Sequence, residues 1–232
     1  GVVRCALGWA CWKTYVGRAE RPGIQCMAMT QLGNGLGLAG RHEDALSVQE
    51  AELAMMRRLG ASEGNILTTQ GNLAATYSML GRLEDALRLQ RDVYHVTLNL
   101  YGKKHEKSIL EANNYAVSLG QLQRLGEAKA ILHKTMPVAR RVLGESDETT
   151  LKVRFLYAKA LYADPDATLD DLRESVTTLE DTAPIAKRVM GGTHPTTARI
   201  EKLLRNARAK LHARGDVESL REAVEAMTPG DA

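Results

Sequence analysis

Six histidines and three cysteines are the residues of this 232-residue chain best suited to hold a metal or attack a substrate. The histidines are His42, His95, His105, His133, His194 and His212. None pairs with another at a metal-ligand spacing, and none stands in a nucleophile motif. Cys5, Cys11 and Cys26 are odd in number and form no CxxC, so reduced thiols without a metal are expected. The glycines of Leu32 to Gly40 have the look of a phosphate loop. No strand pattern precedes them and no GK[ST] follows, so that reading fails. Carboxylates such as Glu84 and Asp85 lie at helical spacing beside arginine or lysine. The expectation is a chain with no catalytic residue, no cofactor and no metal.

Composition narrows the partners. Apolar residues make up 44% and charged residues 25%, enough for a packed core. Aromatics are only 4%, and Ala, Leu, Arg and Glu dominate, a helical balance. A net charge of +3 gives no case for a nucleic-acid partner, which needs clustered cations and stacking aromatics. No apolar run approaches the roughly 20 residues of a membrane span. A reducing, cytoplasmic setting is the default expectation.

What positions these side chains is a repeat. Gly81 to Leu87 reads GRLEDAL, Gly40 to Leu46 reads GRHEDAL, and Gln123 to Lys129 reads QRLGEAK. A hydrophobic-Gly pair recurs at Leu59-Gly60, Tyr101-Gly102, Leu143-Gly144 and Met190-Gly191, with glycine spacings of 42, 42 and 47. Fourteen residues after the first three of these glycines stand Ala74, Ala116 and Ala158. Twelve residues further on, the first two reach Ala86 and Ala128.

Each unit therefore reads as two antiparallel helices. In the second unit the spacing predicts a helix over Thr68 to Leu80, ended by Gly81, and another from Leu83 to about Leu100. The next helix is expected near Ser108, with Ser108–Glu111 and Thr168–Asp171 as capping boxes. The paired small residues, Gly33/Ala45 and Ala74/Ala86, mark a close helix crossing. The glycines at 33, 35 and 37 predict that the helix from Met27 to Ala39 is the least rigid.

In the fourth unit the stretch Ala163 to Thr168 replaces the tight turn. This insertion of five residues puts Ser175 where Ala128 stands in the third unit. It is expected to touch no packed interface. Residues 1–24 read as an N-terminal helix, the remnant of a preceding unit, with Trp9 and Trp12 covering the first complete repeat. Residues 25–197 hold four units. Residues 198–232 read as two capping helices, Ala198 to Ala213 and Val217 to Met227, and a frayed tail. Arg205 occupies the small position of the first of them.

Helix pairs with small residues twelve apart and a turn glycine resemble tetratricopeptide repeats. The 42-residue period and the GRxEDAL turn are similar to the kinesin light chain type, which reads LGxxHPxT…NNLAxLYxxxGRxEEA. Here the pattern is spread over Gly191 to Thr197, Asn113 to Ala116, Asn72 to Tyr77 and Gly81 to Ala86. His-Pro survives only at His194-Pro195; His105-Glu106 and Asp147-Glu148 replace it elsewhere. The resemblance implies an all-α, right-handed α-solenoid of antiparallel helix pairs, with the first helix of each unit lining a concave groove.

On that groove the resemblance places Asn72 and Met79, then Asn113, Asn114 and Gln121, then Lys152, Phe155, Lys159 and Tyr162. Gln31, Asn34, Thr68, Ala75 and Val117 share the face. A carboxamide donates and accepts at once, which suits Asn72 and Asn114 to clamp an extended backbone; bonding a neighbouring helix is the equal alternative. Lys152 and Lys159 suit an acidic partner, although two lysines on a helix are usually only solvated. The expected function is a non-catalytic interaction scaffold or adaptor for a protein or peptide partner. Its rivals are self-association through the open N-terminal end, and a regulatory or targeting segment of a larger signalling ATPase, receptor or motor adaptor.

Overall fold

The structure is a computed structural model. It describes residues 22–227, with side chains for 23–217, together with Ala6, Trp9, Ala10 and Lys13. Those four are helical; the rest of the expected N-terminal helix, Trp12, Cys5 and Cys11 included, and the tail from Thr228 lie outside the described residues. The chain forms two compact units, Gly1–Gly102 and Lys103–Ala232. Among the described residues all regular structure is helical, and no helix is long and apolar enough to cross a membrane.

The first unit holds α1 (Pro22–Leu38), α2 (His42–Arg58), α3 (Glu63–Met79) and α4 (Leu83–Tyr101), each packed on the next. The second holds α5 (Glu106–Gln121), α6 (Leu125–Val142), α7 (Glu148–Ala163), α8 (Leu169–Met190) and α9 (Pro195–Met227). Here α7 is central: it touches α5, α6, α8 and α9.

The heptads build the turns by one device. Gly40 and Gly81 are left-handed at φ 77° and 76°. The following arginine N–H reaches back to the carbonyl five residues earlier, Arg41 to Leu36 at 3.0 Å and Arg82 to Tyr77 at 2.9 Å. These bonds satisfy carbonyls that a helix end leaves open. The arginine side chain then pairs with the acid three residues on: Arg41–Asp44 and Arg82–Asp85. The third repeat keeps the whole geometry without the glycine. Gln123 takes φ 58°, Arg124 N–H bonds Leu119 at 2.9 Å, and Arg124 pairs with Glu127.

The small residues are buried where the helices cross: Ala45 0%, Ala74 2%, Ala86 1%, Ala116 3%, Ala128 2%, Ala158 0% and Ser175 0% exposed. At Gly33 an added Cβ would stand 3.0 Å from Gln49 Cγ, so a larger residue there requires the Gln49 side chain to shift.

Helix starts depart from expectation. α3 begins at Glu63, not Thr68. α5 begins at Glu106 with His105 as its cap, so the Ser108–Glu111 box does not form; Ser108 is buried inside the helix. His105 Nδ1 accepts from Lys107 N–H at 3.2 Å, Asp147 Oδ1 from Thr149 at 2.8 Å, and His194 Nδ1 from Thr196 at 3.2 Å. The position of the His-Pro pair is thus a helix cap in three successive repeats. The Thr168–Asp171 box forms as expected, with both reciprocal bonds.

At the C-terminal end one continuous helix, α9, runs through Gly215 where two helices were expected. Gly215 has no left-handed φ, so it does not stop the helix. Arg205 is exposed, and Ile200, Leu203 and Ala207 face the core instead.

Candidate interaction surface

In the second unit α5, α7 and the start of α9 border an open depression of about 400 Å³. Small residues line it, Ala116 and Gly120 from α5, Ala128 from α6 and Ala160 and Ala163 from α7, together with Leu125 and Leu132 of α6. Ala116 and Ala160 are buried there at 3% and 4% exposure. Short side chains on facing helices leave a trough between the longer ones. Val117 and Leu156 supply apolar walls, Gln121 a carboxamide, and Lys159 and Arg199 the charges.

The charge is one-sided. No carboxylate lines the depression, and neither Lys159 nor Arg199 forms an ion pair among the described residues. The Arg199 guanidinium lies over the Phe155 ring, 5.1 Å from its centroid, an attraction that holds the cation in place while leaving it exposed. Lys152 behaves differently. It pairs with Glu148 at 2.7 Å, and that contact lowers the Glu148 pKa below the usual carboxylate range.

The structure sorts the residues read from sequence. Gln121 and Lys159 come together in the depression, with Val117 beside them. Asn114 is half-buried and donates to Glu111 Oε2 at 3.3 Å, a bond within its own helix. Asn113 and Phe155 are buried, both 6% exposed; Asn113 Oδ1 has no hydrogen-bond partner, and Phe155 belongs to the core of α7, α8 and α9. Phe155 is therefore not offered to a partner. The reason is that α7 is covered on nearly every side, so its apolar residues do not mark one inner face. Tyr162 is partly covered by Lys210, whose Nζ stands 4.9 Å from the ring centroid. Asn72 and Met79 stand on α3 of the first unit, half-buried and 65% exposed. Sequence reasoning missed Leu156 and Arg199: α9 read as a cap, and nothing in the sequence sets Leu156 apart from its buried neighbours.

The first unit has its own open depression, about 370 Å³, bordered by Cys26, Met27, Thr30, Met56, Asn65 and Thr69. Beside it Glu52 is 1% exposed. Its Oε1 accepts from Thr30 of α1 in a short bond and from Thr69 of α3 at 3.2 Å, so one carboxyl pins three helices. Burial pushes its pKa up, against the pull of the two hydroxyls. Cys26, a free buried thiol, is also pushed up, by burial and then by the Glu52 charge.

Paired helices with small residues at each crossing define an all-α helical-repeat solenoid. Two tetratricopeptide-repeat models match, over residues 24–96 and 112–148. The fold is similar to that of the kinesin light chain nearly identical TPR-like repeats of Podosopora anserina, with TM-score 0.69 and 20% identity over 89% of this chain and 96% of that one. It is also similar to BtubC (BKLC) of P. vanneervenii, with TM-score 0.62 and 14% identity over 100% and 93%. Tetratricopeptide repeats thus lie over residues 24–96 and 112–148, and the fold is that of the kinesin light chain repeat structures. Among curated proteins it is 24% identical over 119 residues to the Clustered mitochondria protein homolog of Aspergillus niger, and likewise to that of Aspergillus oryzae. The match spans 51% of this chain and only 10% of those relatives.

Proposed function

We propose that this chain is a non-catalytic interaction module that holds an extended, acidic peptide segment of a partner on the face of α5, α7 and α9. The observation that carries this is the pair Lys159 and Arg199: two cations in no ion pair among the described residues, beside apolar Val117 and Leu156, in a depression whose lining holds no carboxylate. Such a surface favours a ligand that supplies negative charge and a small apolar anchor. Gln121 is suited to a backbone amide of the same segment. Asn72 and Asn114 remain candidate clamps, Asn114 less directly because Glu111 already engages it. Met79, widely exposed on α3, is a further candidate contact.

The test is selection of binders from a peptide library of mixed charge. Wild-type protein is expected to enrich acidic sequences, and a Lys159→Glu/Arg199→Glu variant with an unchanged circular dichroism spectrum is expected to lose them. Equal enrichment by both proteins would sink the proposal.

A second reading rests on the relatives' size. The matching stretch is only 10% of the Clustered mitochondria protein homologs, so a repeat segment serving a larger protein is the alternative. Identifying the mature product by intact mass from its native source separates the two.

A further inference from the structure

The insertion in the fourth repeat touches the C-terminal helix, contrary to the expectation of a free loop. In the first three repeats the turn itself closes the end of the first helix, through a left-handed residue and a back-reaching arginine N–H. The insertion abolishes that turn. At the end of α7, Asp164 is extended, at φ −60° and ψ 123°, and only its own N–H reaches back, to Ala160. The last carbonyls of α7 need other donors.

One such donor comes from α9, and a second side chain of the same helix reaches the insertion itself. Lys210 Nζ donates to the Tyr162 carbonyl at 2.7 Å, and Arg214 Nη1 donates to the Ala167 carbonyl in a short bond. Ala167, inside the insertion, is 1% exposed. Lys210 stands at the C-terminal end of α7, where the helix dipole is negative. The first helices α1, α3, α5 and α7 are 17, 17, 16 and 16 residues long, whereas α9 has 33. Its N-terminal half is held by core packing of Ile200, Leu203 and Ala207. Leu211 makes the last contact with that core, and Lys210 and Arg214 flank it.

We propose that the insertion is a receptor for the C-terminal helix, and that Lys210 and Arg214 form a polar latch that holds the distal half of α9 to the α7–α8 connection. The latch can open with the buried core in place, because Ile200, Leu203 and Ala207 all precede Lys210 and only the partly buried Leu211 touches the cluster beside it.

Hydrogen exchange on the full chain tests this. In a Lys210→Met/Arg214→Met variant the amides of residues 208–217 should exchange about tenfold faster or more, as local opening replaces global opening. Residues 195–206 and all of α7 should keep wild-type protection. The pair Lys210→Arg/Arg214→Lys retains both donors and should stay close to wild type. Unchanged protection in the methionine variant overturns the latch. So does equal loss across α7, α8 and α9, or failure of the donor-retaining pair to restore protection.

Discussion

Ser175 Oγ donates to the Ala158 carbonyl at 2.8 Å, across the helix crossing of the fourth repeat. The two residues are seventeen apart, where the second and third repeats place their small pairs twelve apart. The insertion thus lengthens the connection and leaves the crossing intact. A hydroxyl at a fully buried position finds its acceptor on the facing helix, which is what allows serine to stand where the other repeats have alanine.

Ser175→Ala is expected to cost about 1 kcal/mol or less, since one neutral hydrogen bond is lost and alanine fits the site. Ser175→Leu should cost about 2 kcal/mol or more, because the crossing has no space for the added atoms. Equilibrium denaturation of the two variants checks the order; a leucine variant as stable as wild type would contradict a tight crossing.

Gln123 is the non-glycine residue held at positive φ among the described residues. A side chain in that conformation costs roughly 1 kcal/mol, so Gln123→Gly should raise stability by about that amount or somewhat less. Gly81→Ala, made at the equivalent turn, should lower it by about 1–2 kcal/mol. Thermal melts of both variants decide the matter by the sign of each change.

Glu52 makes the stability of the first unit depend on pH. Its folded pKa lies above 4.5, so the native state holds the proton more tightly than the unfolded chain does. The Glu52 contribution to stability is therefore greatest below the ordinary carboxylate range and is lost as pH rises through the raised pKa. Glu52→Gln, which keeps an acceptor for Thr30 and Thr69, should melt higher than wild type at neutral pH. The gap should close on acidification. A constant difference across roughly pH 4 to 8 would show that the Glu52 carboxyl does not titrate with folding.

Asp147 caps α7 by accepting from Thr149 and Thr150 N–H, at 2.8 and 3.3 Å. Asp147→Ala should cost about 1 kcal/mol, and Asp147→Ser much less, since serine can accept the same bonds. The difference in unfolding midpoint between the two variants measures the cap alone.

The repeat was readable because its turns are made by the backbone demands of Gly40 and Gly81 and by arginine–acid pairs three residues apart. Those constraints leave fixed residues at fixed spacing. Helix starts were harder, because two of the three caps are histidines, His105 and His194, which are not among the residues that usually mark a helix start. Of the candidate surface, Gln121 and Lys159 stood out as polar residues on helices otherwise facing a core. Phe155 is buried because α7 is covered on nearly every side, which blurs the difference between an inner and an outer face. Glu52, Leu156 and Arg199 left no sequence signal, since each depends on which helix lies opposite. The length of α9 was hidden by Gly215, whose helical conformation only the surrounding chain determines.

The central claim is that Lys159 and Arg199 make an acidic-peptide site. A titration of wild type and of Lys159→Glu/Arg199→Glu with one selected acidic peptide, at low and high salt, tests it most directly. Wild type should bind with an affinity that falls as salt rises, and the reversed variant should bind about tenfold more weakly or worse at low salt. Equal affinity for both proteins, with no dependence on salt, would contradict the account.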